Sequence, residues 1–494
     1  MTADVVVVGF GGAGSAAAIT ASDLGADVVV VEKQPESRHT PSTMMLGGGL
    51  MVVTDVTAGT RYLDLCSGGR VPFAVSRAWA EKAFDLADWA QSTLDGVRVG
   101  QLAPSAEHPG FAGSAAIASA RLCGSRDGQA LSGVGLFSAL SAAVRRRGIA
   151  VRWNARGERL LGSRDGVEGL LARNSAGDLE EIRARYAVIL CTGGFGASEW
   201  MKREFLPGGP CYFYGNPDST GDGIVLAQAV GARLWHMNQM MGRGVGHFPL
   251  ESGTAVDLLM LVSPLGGDPD AQRSGYVITD KHGERYADES GQASLGHGFY
   301  AHMLSYDPDR LCHPRIPSYW FFDERRRRSG PLTPLDSGAV GVGICTWSPD
   351  NLAEISRGWI TTGGSIAEAA ARAGIDDPLG ASRTVAEYNR ACTLGSDQFG
   401  RPPESLIPLD EPPYYCVPLW PGGTNTSGGP ERDDLGRVID VFGQPIAGLY
   451  SAGELGQAMG PAYPGGFAYY SEVLCSGRIA GESAVRSAMG QKSS

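Results

Sequence analysis

Positive charge is in short supply along this chain of 494 residues: 42 Lys and Arg stand against 53 Asp and Glu, a net charge of −11 at pH 7. Gripping a nucleic-acid backbone needs a basic face, so the composition argues against a nucleic-acid partner. Cysteine pairing is missing as well. The nine cysteines are scattered without a C-x-x-C, which reads as reduced thiols and neither a disulfide framework nor a metal site. No apolar run approaches the roughly 20 residues of a membrane span. No basic, apolar leader precedes the first strand, so no signal peptide is expected and the cytoplasm is the expected location. Repeats and low-complexity segments are absent too.

What the chain has in quantity is glycine, 71 of them, and the first cluster is the most informative. Val5 to Val8 is a continuous apolar run, the pattern of a strand buried on both faces of a parallel sheet. The turn Gly9-Phe10-Gly11-Gly12-Ala13-Gly14 follows, carrying G-x-G-x-x-G. An Ala-rich helix pattern runs from Ser15 to Leu24, and Val28 to Val31 ends at Glu32 and Lys33. Strand, Gly-rich turn, helix, strand and acid within about thirty residues make a dinucleotide site. Gly9 permits the tight turn, Gly11 lets the backbone approach a pyrophosphate, and Gly14 lets the helix pack on the strand. The helix N-terminus offers N–H groups to the phosphates. The Glu32 carboxylate can take both hydroxyls of a ribose.

Further along, Arg38-His39-Thr40 precedes the triplet Gly47-Gly48-Gly49, a backbone suited to lie against a flat ring. His39 is either a loop or phosphate-side residue or a point of covalent flavin attachment. Phe73 to Leu94 reads as one amphipathic helix and Leu136 to Gly148 as another. Val167 to Ala172 and Glu180 to Arg185 read as a hairpin. Tyr186 to Phe195, carrying Cys191-Thr192-Gly193-Gly194, reads as a second buried strand that ends in a Gly pair. Asp222 opens a helix, as its cap or as a contact to a cofactor hydroxyl. From about residue 249 to 407 the strand–helix alternation lapses, which marks an inserted second domain. The alternation then returns at Gly448 to Glu454. The expected domains are therefore 1–248 and 408–494 together, with 249–407 inserted between them.

Taken in order, these stretches resemble the FAD-dependent fumarate reductase/succinate dehydrogenase flavoprotein superfamily. The chain looks most like the branch that holds the 3-ketosteroid dehydrogenases. The resemblance rests on the N-terminal fingerprint, Cys191-Thr192-Gly193-Gly194-Phe195, Thr220-Gly221-Asp222-Gly223, Gly283 to Glu289, Tyr388-Asn389-Arg390 with Phe399 to Pro402, Thr426 to Gly429, and Gly448 to Glu454. It implies an α/β fold: a Rossmann-like FAD domain built from both chain ends, with an inserted α+β capping domain for the substrate. It implies FAD as the cofactor. Glu32 would take the adenosine ribose, Thr192 and Gly193 the adenine side, and Glu454 the ribityl region. The last helix, near Tyr469, Tyr470 and Ser471, would point at the flavin C2 carbonyl, where its dipole stabilises negative charge.

The loop before that helix separates two chemistries. The family's fumarate reductases carry an Arg there, and a His just before it, to clamp a carboxylate. This chain has Pro464 at the Arg position and no His between Gly460 and Phe467. Its Tyr463-Pro464-Gly465 is similar to the Tyr-Pro-Gly of ketosteroid Δ1-dehydrogenases. In those enzymes the Tyr hydroxyl and a backbone N–H four residues on polarise the substrate ketone. The corresponding donors are Tyr463 and the N–H of Phe467, where the family has Gly. Removing two hydrogens beside a ketone also needs a base and a hydride acceptor. The candidates for the base are Tyr319, Tyr300 and His108. The expectation is a desaturase acting on a cyclic ketone, a 3-ketosteroid or a smaller cyclohexanone-type ring, with a quinone, dye or O2 as external electron acceptor. The alternative is a C=C reductase of the fumarate or urocanate type, with Arg327 as the candidate proton donor. Oligomeric state is not legible in the sequence.

Overall fold

The computed structural model describes residues 1–126, 128–264, 274–293 and 297–492. Its chain divides into two compact units. The first comprises Met1–Met201, Asn216–Met240 and Thr426–Ser494; the second comprises Lys202–Gly215 and Met241–Asn425. The expected limits of the inserted domain, 249–407, fall inside the second unit.

The first unit is organised by a parallel sheet. Its strands are β1 (Thr2–Val8), β2 (Val28–Val31), β3 (Ala150–Arg152), β4 (Leu179–Leu190) and β5 (Pro445–Ser451), in the spatial order β5-β4-β1-β2-β3. The continuous apolar runs explain the arrangement, since a strand covered on both faces has no polar side to show water. Val5 to Val8 pair in parallel with Val28 to Val31 on one side and with Ala187 to Leu190 on the other. The second arm of the expected hairpin, Glu180 to Arg185, and the second buried strand are one element. The first half of β4 pairs antiparallel with Gly166–Arg173, and its second half runs parallel beside β1. No Gly or Pro interrupts Leu179 to Leu190, so nothing in the sequence breaks the strand where it changes partner.

Helix α1 (Gly12–Asp23) follows β1 and packs against the closing helix α2 (Ala468–Lys492). Two glycines of α2 make the approach close. A Cβ at Gly477 would lie 2.4 Å from the Ala13 carbonyl oxygen, and one at Gly481 would lie 2.5 Å from that of Ala17. The helix expected over Phe73 to Leu94 is two, Phe73–Phe84 and Leu86–Thr93. The break is tertiary in origin. Asp85 stands between them, and its carboxylate takes both Arg478 nitrogens at 2.8 Å.

The second unit is built on a seven-stranded sheet. Ala255–Leu259, Met240–Pro249, Tyr414–Thr426, Ser318–Asp323 and Tyr276–Thr279 follow one another across it. Beneath the sheet, Arg285 bridges Glu289 and Asp397, and all three side chains are nearly fully buried. The Arg285 guanidinium lies 5.1 Å from the centre of the Tyr388 ring and 5.0 Å from that of Phe399. The G-E-R-Y-A-D-E stretch is therefore the structural knot of this unit. Among the described residues all nine cysteines are free, and no His, Cys, Asp and Glu cluster could hold a metal.

Candidate functional site

The carboxyl ends of β1, β2 and β4 open into a single cleft in the first unit. This is where a doubly wound sheet binds its ligand. Gly9 adopts φ +102°, and a Cβ there would sit 2.4 Å from the Cys191 carbonyl oxygen. A Cβ at Gly14 would sit 2.0 Å from the Gly9 carbonyl oxygen. Both positions tolerate hydrogen alone. Gly11, Gly12 and Ala13 line the cleft floor at the start of α1. That helix has no cap of its own, and the Gly12 N–H instead donates to Thr43 Oγ1 at 2.8 Å.

At one end of the cleft Glu32 accepts from the Phe10 and Gln34 N–H groups, each at 2.8 Å. Burial opposes its ionisation, yet His39 and these N–H groups hold the carboxyl below its usual value. His39 Nε2 lies 3.7 Å from the same carboxylate, and the ring stacks on Phe10 between Phe137 and Trp153. Lys33 donates to Asp222 at 3.0 Å and to Thr220 at 2.9 Å, and Arg156 meets the other oxygen of Asp222 at 2.9 Å. Burial works against the Asp222 charge, but these two cations hold its carboxyl below the ordinary value.

Farther along, the Thr192 hydroxyl is buried with no partner among the described residues, beside Gly193 at φ +74°. Glu454 accepts from the Thr426 N–H at 3.2 Å and from the Tyr469 hydroxyl at 3.1 Å. Burial pushes Glu454 up to about 7 against those bonds. A Gly-lined turn, a helix N-terminus, a diol-ready carboxylate, an unsatisfied threonine hydroxyl and an acid whose pKa burial raises, all lining one cleft, fit an adenine dinucleotide.

Other expected contacts are committed elsewhere. Gly14 is used up in packing α1 on β1. The Thr40 N–H donates to Gln34 at 2.8 Å, outside the cleft. Tyr470 donates to the Thr43 carbonyl at 2.6 Å, and the Ser471 hydroxyl accepts from Trp79 at 3.1 Å. A Cβ on Gly48 would meet the Leu131 carbonyl oxygen at 2.2 Å. The triplet does lie against a flat ring, but the ring is that of Phe467: a Cβ on Gly49 would stand 2.6 Å from it. Sequence reading missed Thr43 and Arg156, whose roles depend on segments far apart along the chain.

The loop before α2 is tightly held. The Tyr463 hydroxyl accepts from the Tyr469 N–H, in the first turn of α2, at 3.0 Å. The Gly466 N–H donates to the Ser105 carbonyl at 3.1 Å and the Ala468 N–H to the Gly465 carbonyl at 3.0 Å. Between them the Phe467 N–H has no acceptor among the described residues, and Phe467 adopts φ +60°, which is uncommon for a residue with a side chain. His108 is attached to the same loop. Its N–H donates to Tyr62 at 3.2 Å, and the Tyr62 hydroxyl donates to the Pro464 carbonyl at 2.6 Å. His108 Nε2 is buried without a partner among the described residues. Tyr319 is placed otherwise. It lies in the apolar core of the second unit with Val277, Phe321, Val385 and Cys416, and burial raises its phenol pKa.

The first unit is thus a doubly wound nucleotide-binding fold with a donor-lined loop at the head of its last helix: a flavoprotein architecture. Comparison with known proteins gives the family. The model of the FAD binding domain family matches residues 4–467, and the chain belongs to that family. FAD is its cofactor, and the chain is an FAD-dependent oxidoreductase. Similar proteins include the NADH:fumarate oxidoreductase of Klebsiella pneumoniae (strain 342), 27% identical over 99% of this chain and 48% of that protein. The chain thus spans about half the length of that relative. The 4-oxocyclohexanecarboxylate 2-dehydrogenase of Sinomonas cyclohexanicum is 27% identical over 72% of this chain and 62% of that one. The fold matches the crystal structure of a 3-ketosteroid delta1-dehydrogenase from Sterolibacterium denitrificans, with a TM-score of 0.81 at 21% identity over 98% and 100% of the two chains. No described helix is long and apolar enough to cross a membrane.

Proposed function

We propose that this flavoprotein desaturates a cyclic ketone at the carbon–carbon bond beside its carbonyl. The observation that carries the reading is the Phe467 N–H. It is left without an acceptor while the N–H groups of Gly466, Ala468 and Tyr469 are bonded, in the loop whose Tyr463 hydroxyl is held at the head of α2. A phenol O–H and a backbone N–H are the pair of donors a carbonyl oxygen needs. They stabilise the negative charge that grows on that oxygen as the α-hydrogen leaves as a proton. The Tyr469 N–H anchors the Tyr463 oxygen at 3.0 Å and fixes the phenol at the head of α2.

His108 takes the α-proton. Its Nε2 has no partner among the described residues, and Tyr62 ties its backbone to Pro464 of the donor loop. Tyr319 is the poorer candidate, since a phenol buried among apolar side chains resists the ionisation that would make it a base. Bound FAD supplies the acceptor for the hydride of the neighbouring carbon. Glu32, Thr192 and Glu454 hold the cofactor along the cleft, non-covalently, because His39 stands at the Glu32 end. The final acceptor of the two electrons would be external, of the quinone, dye or O2 kind.

The similarity to an oxocyclohexanecarboxylate dehydrogenase supports a ring ketone. Pro464, in a loop without the Arg and His of a carboxylate clamp, argues against dicarboxylate reduction. So does Arg327, whose guanidinium is bound at two points by Glu324. The test is anaerobic mixing. Cyclic ketones should bleach the oxidised flavin in a stopped-flow instrument, and enoates should reoxidise the reduced flavin slowly. Rapid reoxidation by enoates with no bleaching by ketones would establish the reductase direction instead.

A further inference from the structure

The residue that supplies the backbone donor also builds a wall. Phe467 holds a left-handed backbone, a strained conformation for a side-chain-bearing residue that persists where surroundings impose it. Its phenyl ring lies on the bare backbone of Gly49, where any Cβ would come within 2.7 Å of three ring carbons. Gly49 is paired in register with Arg121 across the antiparallel ladder of Gly49–Val53 and Ile117–Gly124. The Arg121 guanidinium reaches back over the same ring, 5.8 Å from its centre. Ser119, two residues earlier and on the same face of its strand, has its hydroxyl 3.2 Å from where a Cβ on Gly466 would sit. One strand face thus borders the donor loop with a hydroxyl and then a cation.

Arg121 is exposed and makes no ion pair among the described residues, in a chain with eleven more acids than bases. A guanidinium held over an aromatic face, one residue's reach from the ketone donors, is suited to a planar anion. We infer that Arg121 is a specificity-determining residue and that the substrate is a single-ring keto acid, its ketone on Tyr463 and Phe467 and its carboxylate on Arg121. Where the ketosteroid enzymes have glycine, Phe467 places a phenyl ring against Gly49 beside the donor loop, and that added side chain disfavours a fused multi-ring ketone. The inference rests on the ketone-desaturase reading and names its substrate class.

The experiment compares kcat/KM for 4-oxocyclohexanecarboxylate and for its neutral carboxamide, with a dye as electron acceptor and the FAD-loaded protein. The natural protein should prefer the acid by about tenfold or more, the size of a charge-assisted hydrogen bond. Arg121→Gln should bring the ratio close to one through KM, and Arg121→Lys, which keeps the charge, should recover most of the preference. A ratio near one in the natural protein, or an unchanged ratio in R121Q, overturns the carboxylate subsite and leaves ketone desaturation standing. Turnover of neither compound, with no flavin bleaching by any ring ketone, removes the desaturase reading and this inference with it.

Discussion

Glu454 offers a quantitative test of the cleft. Its carboxyl is fully enclosed, accepts from the Thr426 N–H and the Tyr469 hydroxyl, and is pushed by burial from 4.5 up to about 7. A carboxyl raised on folding stabilises the protein fully below its unfolded value, and that contribution is lost as pH rises through the folded one. For the protein stripped of FAD, the loss between about pH 5 and about pH 8 is about 2.5 kcal/mol, at 1.36 kcal/mol per pKa unit. Glu454→Gln removes the titration and keeps the shape. Its stability relative to the natural protein should therefore improve by about that amount over the interval. Unfolding entropy for 494 residues is about 1 kcal/mol per degree, so the difference in Tm should move by about 2 to 3 °C in scanning calorimetry. Rebinding FAD should flatten the effect, because Glu454 lines the cofactor cleft and a hydroxyl donor bound there would lower its pKa. A Tm difference that stays constant across this range would refute a buried, half-protonated Glu454.

Tyr463→Phe should keep its flavin and lose about 10²- to 10³-fold in kcat, the usual effect of deleting one donor to a developing oxyanion; near-normal turnover would remove Tyr463 from the reaction. Acid precipitation should leave the yellow colour in the supernatant, since His39 stands beside Glu32 at one end of the cleft and Glu454 and Tyr469 line the other; a yellow pellet would mean a covalent bond. Arg285→Met should destabilise the protein by about 3 to 5 kcal/mol in denaturant titration, because it strands the buried carboxylate of Asp397 and leaves Glu289 with Arg401 as its remaining cation. A smaller change would mean that water reaches the two acids.

Much of the nucleotide cleft is legible in the amino-acid order because its parts are neighbours in the chain. Strand, turn, helix and Glu32 lie within about thirty residues, and each follows from hydrophobic period, glycine geometry or helix-end polarity. The strand end at Thr192 and Gly193 and the acid at Glu454 follow the same local pattern. Other features were decided by folding. The break at Asp85 comes from Arg478, and the Glu32 end for His39 comes from the rings of Phe10, Phe137 and Trp153. The ring over the glycine triplet is Phe467, and Tyr319 is core. The link from His108 to the donor loop runs through a hydrogen bond from Tyr62 to Pro464, 402 positions apart. A local pattern records what a segment buries and where it turns. It does not record which distant segment arrives to complete a polar pair, because that choice is made by the packing of the whole unit.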